Sequence, residues 1–217
     1  MPGREETARL RFEPLGRAHH RAAFSCGVEA LDNYLHKQAA HDVKKRVALA
    51  LVLTPDGKTV AGFYTLSQYS VELGAIPDKL AAKLPKYPFA PATLIGRLAV
   101  SNEFRGQGIG ELLLMDALNR CLRGGKQVAS AVVIVDAKDD RATAFYKKYG
   151  FIEIPKTPKR LFLPMATIEK LFSKPEPLVD PDDVLTPAEA KKVRHGMEQI
   201  KAGRFKLWQD VKHELGR

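Results

Sequence analysis

Hydrophobic positions recur with two different periods along most of this chain, which predicts a mixture of strands and helices. Short apolar runs of strand length fall at residues 10–12, 47–53, 60–66, 94–100, 128–135, 151–154 and 160–164. Helical spacing gives one apolar face in residues 25–42, 109–123 and 140–149. The predicted fold class is therefore α/β (α+β mixed), with a central mixed β-sheet flanked by helices.

Turn-forming residues separate these segments and predict how they connect. The sequence Thr-Pro-Asp-Gly-Lys at 54–58 joins two β-rich runs and predicts a hairpin. Residues 74–92 are rich in proline and predict a loop around one short helix. Glycines close two of the predicted helices, Gly124 and Gly125 the longer one and Gly150 the shorter one. The near-continuous apolar run at 128–135 predicts a strand that is buried on both faces.

The composition changes after residue 172, which predicts a boundary there. Residues 1–10 are predicted to be a flexible N-terminus, and 11–172 are long enough for one domain with its own core. Residues 174–187 contain four prolines and four acidic residues, so we predict a linker over 173–186. Two short helices are predicted in 187–217. Their apolar faces are too small for an independent core, so we expect this extension to dock on another surface.

The charge is strongly positive and lies mainly in the first domain. The chain has a formal net charge of +10 at pH 7, and residues 1–172 hold 26 basic and 17 acidic residues, a net of +9. Such an excess favours a polyanionic partner such as nucleic acid, although a merely solvated basic surface explains it equally well.

Other chemistries receive no support from the sequence. No apolar run approaches the roughly 20 residues that a membrane helix needs. The charged N-terminus lacks the apolar stretch of a signal peptide. Cys26 and Cys121 show no metal-ligand spacing and suit a reducing compartment. We therefore expect a cytoplasmic protein with no membrane contact and no metal.

A glycine-rich segment in the middle of the chain carries the sharpest chemical signal. The strand at 94–100 leads into Arg105, Gly106, Gln107, Gly108, Ile109 and Gly110, which open a helix. Glycines let the backbone approach an anion, and the free amides and dipole of the first helical turn favour negative charge. This glycine loop (residues 105–110) is therefore predicted to bind a pyrophosphate. A dinucleotide-binding fold is disfavoured because the loop follows a hairpin, and no Walker Gly-Lys-Ser/Thr is present.

Two motifs together resemble the GNAT superfamily of N-acetyltransferases. The glycine loop is similar to that superfamily's acetyl-CoA pyrophosphate loop, Q/R-x-x-G-x-G/A. Residues 139–151, DDRATAFYKKYGF, resemble its second motif, N-x-x-A-x-x-F-Y-x-x-x-G-F. The resemblance implies a GNAT fold with acetyl-CoA as cosubstrate. It also implies cofactor contacts from the backbone of Leu98, Ala99 and Val100 and from the glycine loop. Asp139 is a further candidate contact for the cofactor that the resemblance implies, at a position where the superfamily usually has Asn.

The same resemblance assigns a catalytic role to one tyrosine. Tyr146 falls at the superfamily's tyrosine beside the thioester sulfur, where a phenol can protonate the leaving thiolate. The alternative is a core aromatic residue on an amphipathic helix. Many GNAT enzymes carry a glutamate base on the strand equivalent to 94–100, and this strand has none. That absence favours an acceptor amine that is already largely neutral at pH 7, such as an α-amino group with a pKa near 7.7.

A narrower resemblance covers residues 12–172. Residues 24–35, FSCGVEALDNYL, residues 96–100, GRLAV, residues 113–118, LLMDAL, and Pro164-Met165 are similar to the GNAT toxins of type II toxin–antitoxin systems. Members of that family acetylate the α-amine of aminoacyl-tRNA, which blocks translation, and they pair with ribbon-helix-helix antitoxins. Ser101 departs from the aspartate that is common there. Candidate tRNA contacts within the basic excess are Lys44, Lys45, Arg46, Lys138, Arg141 and Lys147.

Two rival functions stay open at this point. One is an ordinary GNAT enzyme that acetylates a protein N-terminus or a small-molecule amine. The other is a non-catalytic regulator that binds acetyl-CoA or nucleic acid. The C-terminal extension loosely resembles pieces of small antitoxins, and three interpretations compete for it: an antitoxin-like arm, an element of a homodimer, or an accessory tRNA contact.

Overall fold

A computed structural model describes residues 10–77, 87–155 and 157–173 of this chain. Seven strands form one mixed sheet in the order β1-β2-β3-β4-β5-β7-β6. The strands are β1 (Arg11–Pro14), β2 (Leu49–Thr54), β3 (Gly62–Glu72), β4 (Phe89–Val100), β5 (Val132–Asp136), β6 (Ile152–Glu153) and β7 (Arg160–Pro164). All neighbouring strands run antiparallel except β4 and β5, which are parallel. The predicted mixed sheet is confirmed.

Helices cover both faces of this sheet. They are α1 (Glu29–Asn33), α2 (Ala39–Lys44), α3 (Ile109–Gly125), α4 (Asp140–Lys148) and α5 (Met165–Phe172). A π-helical segment, Tyr34–Gln38, joins α1 to α2. Short 3₁₀ turns lie at Arg21–Ala23, Leu73–Ala75 and Asn102–Phe104.

The alternation of side chains along β3 shows how the two faces are filled. Tyr64 points to the core that contains Leu113 and Leu118 of α3. Its neighbour Phe63 points to the opposite face, where it packs with Tyr34 and Leu35. Helix α3 therefore lies on one face of the sheet, and the segment from α1 to α2 lies on the other.

Most predicted elements are confirmed, and their bounds show where the sequence pattern was misleading. The helix predicted over 25–42 begins only at Glu29, so that prediction was wrong for residues 25–28. The strand predicted at 94–100 begins earlier, at Phe89, within the predicted proline-rich loop. The run at 128–135 enters the sheet only at Val132, and Val128 is exposed. Helix α5 was not predicted at all.

The parallel pair β4 and β5 separates partway along its length. Their pairing runs from Ala92 with Val132 to Ile95 with Val135 and stops there. On the β3 side, Thr65 pairs with Arg97 and Leu66 with Ile95, so Gly96 is an extra residue in β4. A bulge of this kind bends a strand and ends its regular pairing. Residues 97–100 consequently border a gap between β4 and β5, here called the strand gap.

Gly62 allows α3 to pack closely over β3, which leads to a stability prediction. A Cβ at Gly62 would lie 2.7 Å from Leu113 Cδ1 and 2.9 Å from the Ala99 carbonyl oxygen. We expect Gly62→Ala to lower the free energy of unfolding by about 1–3 kcal/mol, the usual cost of overpacking. Gly74→Ala is the control because nothing lies within 4 Å of its added carbon. Denaturant unfolding of both variants measures the difference, and equal stabilities would contradict the packing argument.

Several sequence predictions concern residues outside the described part of the chain. They are the flexible N-terminus before Leu10, the short helix within the proline-rich loop where it falls on 78–86, the linker at 174–186 and the two-helix extension at 187–217. Within the described ranges, no helix is both long enough and apolar enough to cross a membrane.

Candidate active site

The glycine loop presents a row of free backbone amides at the start of α3. Gly106 and Gly108 have φ of +77° and +73°, and Gly108 is the N-cap of the helix. In the described residues, no backbone acceptor is found for the amides of residues 106–110. The first amides of a helix lack intrahelical partners and carry the positive end of its dipole. The loop is therefore suited to bind an anion, as its sequence predicted.

The glycine loop, the end of β4 and helix α4 converge at Gly110. A Cβ placed on Gly110 would lie 3.8 Å from Val100 Cγ2 and 3.9 Å from the ring of Phe145. The predicted pyrophosphate loop thus adjoins both the end of β4 and the residue that precedes Tyr146. Motifs that are separated in the sequence form one site because α3 and α4 pack on the same face of the sheet.

Backbone groups of β4 are available in the strand gap. The Ser101 amide donates to the Ala61 carbonyl at the β3 side, with 2.9 Å between N and O. Because successive residues of a strand alternate in direction, the backbone groups of Val100 and Leu98 turn the other way, into the gap. Those of Ala99 turn toward β3. Leu98 and Val100 therefore fit the predicted strand-like contact with a pantetheine arm, whereas alternation directs Ala99 away from it.

Tyr146 is buried in α4, and only 7% of its surface is exposed. Its ring packs against Phe145 and Phe151, with ring centroids 5.3 Å and 5.4 Å away. Burial raises the pKa of Tyr146 to about 12. Among the described residues no hydrogen bond to its hydroxyl is found, so the phenol proton is not committed to a protein acceptor.

Asp139 caps α4, and this capping engages its carboxylate. Its Oδ1 accepts a hydrogen bond from the Ala142 amide at 2.7 Å, and its Oδ2 lies 2.6 Å from Lys138 Nζ. The Lys138 ammonium and the Ala142 amide together lower the pKa of Asp139, so the carboxylate is ionised. Asp139 therefore has a structural role at the end of β5. Its predicted contact with the cofactor stays a prediction.

Two side chains of the glycine loop contact the protein itself. Arg105 donates from Nη2 to the Cys26 carbonyl. Gln107 Nε2 donates to the Glu103 carbonyl at 3.3 Å. Arginine has five N–H donors, so Arg105 keeps donors for a phosphate while one is engaged.

Arg97 is a neighbour of the strand gap whose role the sequence did not reveal. Its guanidinium carbon lies 3.6 Å from the centre of the Tyr34 ring, a cation–π contact. Burial and the nearby Asp42 carboxylate raise the pKa of Tyr34 to about 12, while Arg97 opposes this shift. Within the described residues the Tyr34 hydroxyl makes no hydrogen bond of normal geometry, even though the Asp42 carboxylate is close enough to raise the pKa of that hydroxyl. No ion pair with Arg97 is found there either.

The predicted tRNA contacts fall into two groups. Lys138, Arg141 and Lys147 belong to α4 or its start, where Lys138 pairs with Asp139 and Lys147 pairs with Glu153 at 2.7 Å. The second group, the exposed residues Lys44, Lys45 and Arg46, joins α2 to β2, and no ion pair involves it within the described ranges.

Arg46 borders a cavity of about 770 Å³ beside the C-terminal half of α3, together with Arg120 and Arg123. Arg120 is neutralised there by Asp116, with 2.8 Å between Nε and Oδ2. Gly110, beside α4, and Arg123 are separated by about 20 Å along α3 at 1.5 Å per residue. Residues 44–46 with Arg123, here called the basic cluster, are therefore distant from the glycine loop.

Among the described residues no group of three or more His, Cys, Asp or Glu side chains is arranged to hold a metal ion. Both cysteines are buried, and burial raises the pKa of the Cys26 thiol to about 11 and of the Cys121 thiol to about 12.

These features define an acyltransferase of the GNAT class: a glycine loop before α3, a parallel strand pair that separates at a bulge, and a buried tyrosine on the next helix. The family model described as an acetyltransferase (GNAT) domain matches residues 48–153. The chain is 36% identical to a probable toxin TacT of Sinorhizobium fredii over 170 residues, 74% of this chain and 94% of that protein. It is 34% identical to a tRNA-acetylating toxin of Mycobacterium tuberculosis over 150 residues, 69% and 89% of the two chains.

Solved structures agree with this relationship. AtaT complexed with acetyl-methionyl-tRNAfMet superposes with a TM-score of 0.70 at 32% identity, over 76% of this chain and 99% of that one. AtaTR bound with acetyl-CoA superposes with a TM-score of 0.68 at 30% identity, again over 76% of this chain and 99% of that one. The chain belongs to the GNAT acetyltransferases, in the branch that contains these toxins. It is an N-acetyltransferase with acetyl-CoA as its cosubstrate.

Proposed function

We propose that this enzyme acetylates the α-amine of aminoacyl-tRNA and so blocks translation as a toxin. The observation that carries the proposal is the 34% identity to a tRNA-acetylating toxin over 89% of that protein's length. The basic cluster, for which no ion pair is found among the described residues, supports a polyanionic substrate. The absence of a carboxylate from β4 supports an acceptor amine of low pKa.

The described geometry supports a direct transfer at the strand gap. Bound acetyl-CoA supplies an activated thioester, and its pyrophosphate fits the free amides of residues 106–110. Backbone amides of β4 face the gap, where they can polarise the thioester carbonyl. The neutral amine attacks that carbonyl, the C–S bond breaks, and Tyr146 donates its proton to the departing sulfur, so that CoA leaves as a thiol. The acylated nitrogen then loses one proton, which restores the Tyr146 phenol.

A labelling experiment tests the proposed substrate. The protein is incubated with radiolabelled acetyl-CoA and bulk aminoacyl-tRNA, with deacylated tRNA and a lysine-containing peptide as parallel acceptors. We expect label in aminoacyl-tRNA alone, and mild base should release it as an acetylated amino acid. Label in the peptide, or transfer to a small amine without tRNA, would instead support an ordinary GNAT enzyme. No transfer to any acceptor would support a non-catalytic binding protein.

The basic cluster leads to a prediction about salt. Each phosphate neutralised by a cation adds about 0.7–0.9 to the slope of log affinity against log salt. We expect the triple variant Lys44→Ala/Lys45→Ala/Arg46→Ala to weaken tRNA binding and to reduce that slope by about 2. Filter binding across a salt series measures both quantities.

The matched control for this variant replaces cations that are already paired with acids. Lys138→Ala/Lys147→Ala should change the slope less, because Asp139 and Glu153 already offset those charges. An unchanged slope in the triple variant would place the RNA on another surface.

Partners and location follow from the same proposal. AtaT has been solved bound to the C-terminus of its antitoxin AtaR, and AtaT–AtaR and KacTA have been solved with DNA. By analogy we propose that this chain has a cognate antitoxin, of the ribbon-helix-helix class. We also propose that it acts in the cytoplasm, where charged tRNA is found. Co-expression with a candidate ribbon-helix-helix protein tests this proposal: a cognate antitoxin should bind the enzyme and restore growth.

A further inference from the structure

Residues 25–27, here called the Cys26 turn, lie against the glycine loop without belonging to it. The Asn102 amide donates to the Ser25 carbonyl at 2.8 Å. Arg105 Nη2 donates to the Cys26 carbonyl. The Cys26 turn is therefore bonded both to Asn102, which precedes the glycine loop, and to Arg105, the first residue of that loop. Neither the predicted cofactor contacts nor the proposed mechanism accounts for these bonds.

Asp32, in α1, determines the conformation of the Cys26 turn. Its Oδ1 accepts from the Cys26 amide at 2.8 Å, and its Oδ2 accepts from the Ser25 hydroxyl at 3.3 Å. Burial alone would raise the pKa of Asp32, but these donors outweigh burial and lower it. The carboxylate is therefore ionised, and hydrogen bonds to a charged acceptor are stronger than those between neutral groups.

Gly27 shows how closely the Cys26 turn and Arg105 fit together. Its φ is +74°, in the left-handed region, and an added Cβ would lie 3.4 Å from Arg105 Nη2. The bond from the Cys26 amide to Asp32 orients the peptide backbone of Cys26. The carbonyl of the same residue then accepts the hydrogen bond from Arg105 Nη2. The remaining N–H groups of Arg105 are then directed without a further loss of side-chain entropy when a phosphate binds.

We infer that Asp32 is a positioning residue for the cosubstrate: through the Cys26 turn it orients Arg105 toward the pyrophosphate of acetyl-CoA. The inference rests on the assignment of residues 105–110 to that pyrophosphate. It also gives a role to two residues of the segment FSCGVEALD, at 24–32. Gly27 provides the positive φ of the turn before the helix, and Asp32 accepts hydrogen bonds from that turn.

The test measures acetyl-CoA affinity by calorimetry together with steady-state kinetics. Asp32→Asn should raise both the Kd and the KM for acetyl-CoA by about tenfold, the order expected for hydrogen bonds to a charged group. The KM for aminoacyl-tRNA and kcat at saturating acetyl-CoA should stay within about threefold. The control is Glu29→Gln, which removes the charge of an exposed carboxylate on the same helix. The Glu29 carboxylate accepts a hydrogen bond from Asn33 at 3.4 Å.

A double-mutant cycle with Arg105→Ala tests whether Asp32 acts through Arg105. If it does, Asp32→Asn should weaken acetyl-CoA binding little further once Arg105 is gone, because coupled residues are not additive. Additive effects would overturn the inference. If Asp32→Asn does not fold, Ser25→Ala removes one hydrogen bond to the carboxylate and should raise the Kd about threefold, again only when Arg105 is present.

A further variant separates failure of this inference from failure of the cofactor assignment. If Gly108→Asp leaves acetyl-CoA affinity unchanged, residues 105–110 do not bind the pyrophosphate and the assignment itself fails. If Gly108→Asp abolishes binding while Asp32→Asn binds normally, only the positioning role fails. A parallel rise in both KM values for Asp32→Asn would show a general structural role and would likewise overturn the inference.

Discussion

Replacing Tyr146 by phenylalanine should lower kcat by about 10²–10⁴-fold, the usual contribution of a general acid. The substitution removes a hydroxyl to which no described residue makes a hydrogen bond, so packing against Phe145 and Phe151 should be retained. Acetyl-CoA affinity, measured by calorimetry, should therefore be nearly unchanged. Single-turnover acetylation of aminoacyl-tRNA measures the chemical step directly.

The raised pKa of Tyr146 agrees with a role as an acid rather than a base. A pKa of about 12 keeps the phenol protonated through the neutral and mildly alkaline range. A CoA thiolate that forms in the same buried surroundings is also desolvated, which raises the pKa of its thiol and narrows the difference between donor and acceptor. The rate should therefore rise with pH as the acceptor amine loses its proton, and Tyr146 should not cause a fall below about pH 10.

Tyr149→Phe is the matched control for this experiment. Tyr149 is in the same aromatic group, with its ring 5.1 Å from that of Phe145, and its pKa is also raised to about 12 by burial and by Glu111. Its loss should change kcat by no more than a few-fold. If Tyr146→Phe behaves like Tyr149→Phe, Tyr146 is a packing residue and another group protonates the sulfur.

The glycine loop and α3 were predictable because their constraints are local. Two glycines with positive φ and a following amphipathic segment leave few alternatives to a turn that opens a helix. The motif at 139–151 was predictable for the same reason, since Asp139 caps α4 and Gly150, with φ +86°, follows its end. Both predictions needed only residues that are close in the sequence.

The Cys26 turn was not predictable in this way, because its conformation depends on side-chain bonds and on contacts with a distant segment. Apolar spacing alone extends the helix back to Ser25. In the structure the Cys26 amide instead donates to Asp32 and the Ser25 carbonyl accepts from the Asn102 amide, so the helix begins only at Glu29. Helix α5 shows a related difficulty. It follows β7 directly at Met165, whose amide bonds the Ala131 carbonyl at 2.9 Å, and it is stabilised by burial of Ile168.

The net charge was predictable from the sequence, but which basic residues are paired with acidic ones was not. From the sequence alone, Lys147 and Lys44 are equally good candidates for contacts with RNA. The structure pairs Lys147 with Glu153 and shows no acid paired with Lys44 among the described residues. The strand gap was likewise invisible to sequence patterns, because it depends on the register at which the pairing of β4 with β5 stops. Both properties arise only when distant segments are brought together.

Gly108→Asp should abolish measurable binding of acetyl-CoA. Gly108 is the N-cap of α3 with φ +73°, a conformation that aspartate tolerates better than most residues, so the fold should survive. The new carboxylate would stand at the predicted phosphate site. Two unit charges 4 Å apart repel by about 4 kcal/mol at an effective dielectric constant of 20, which corresponds to roughly 10³-fold in affinity. Calorimetry with acetyl-CoA measures the loss.

Two controls isolate the charge from the change in size and position. Gly108→Asn has nearly the same shape, tolerates positive φ and adds no charge, so it should lose much less affinity than Gly108→Asp. Gly124→Asp places the same carboxylate near the other end of α3, where nothing lies within 4 Å of the added carbon, and it should bind acetyl-CoA normally. If the Asn and Asp variants at position 108 lose affinity equally, the loop is sensitive to bulk rather than to negative charge. The ligand would still contact the loop, but the argument from charge repulsion would be wrong.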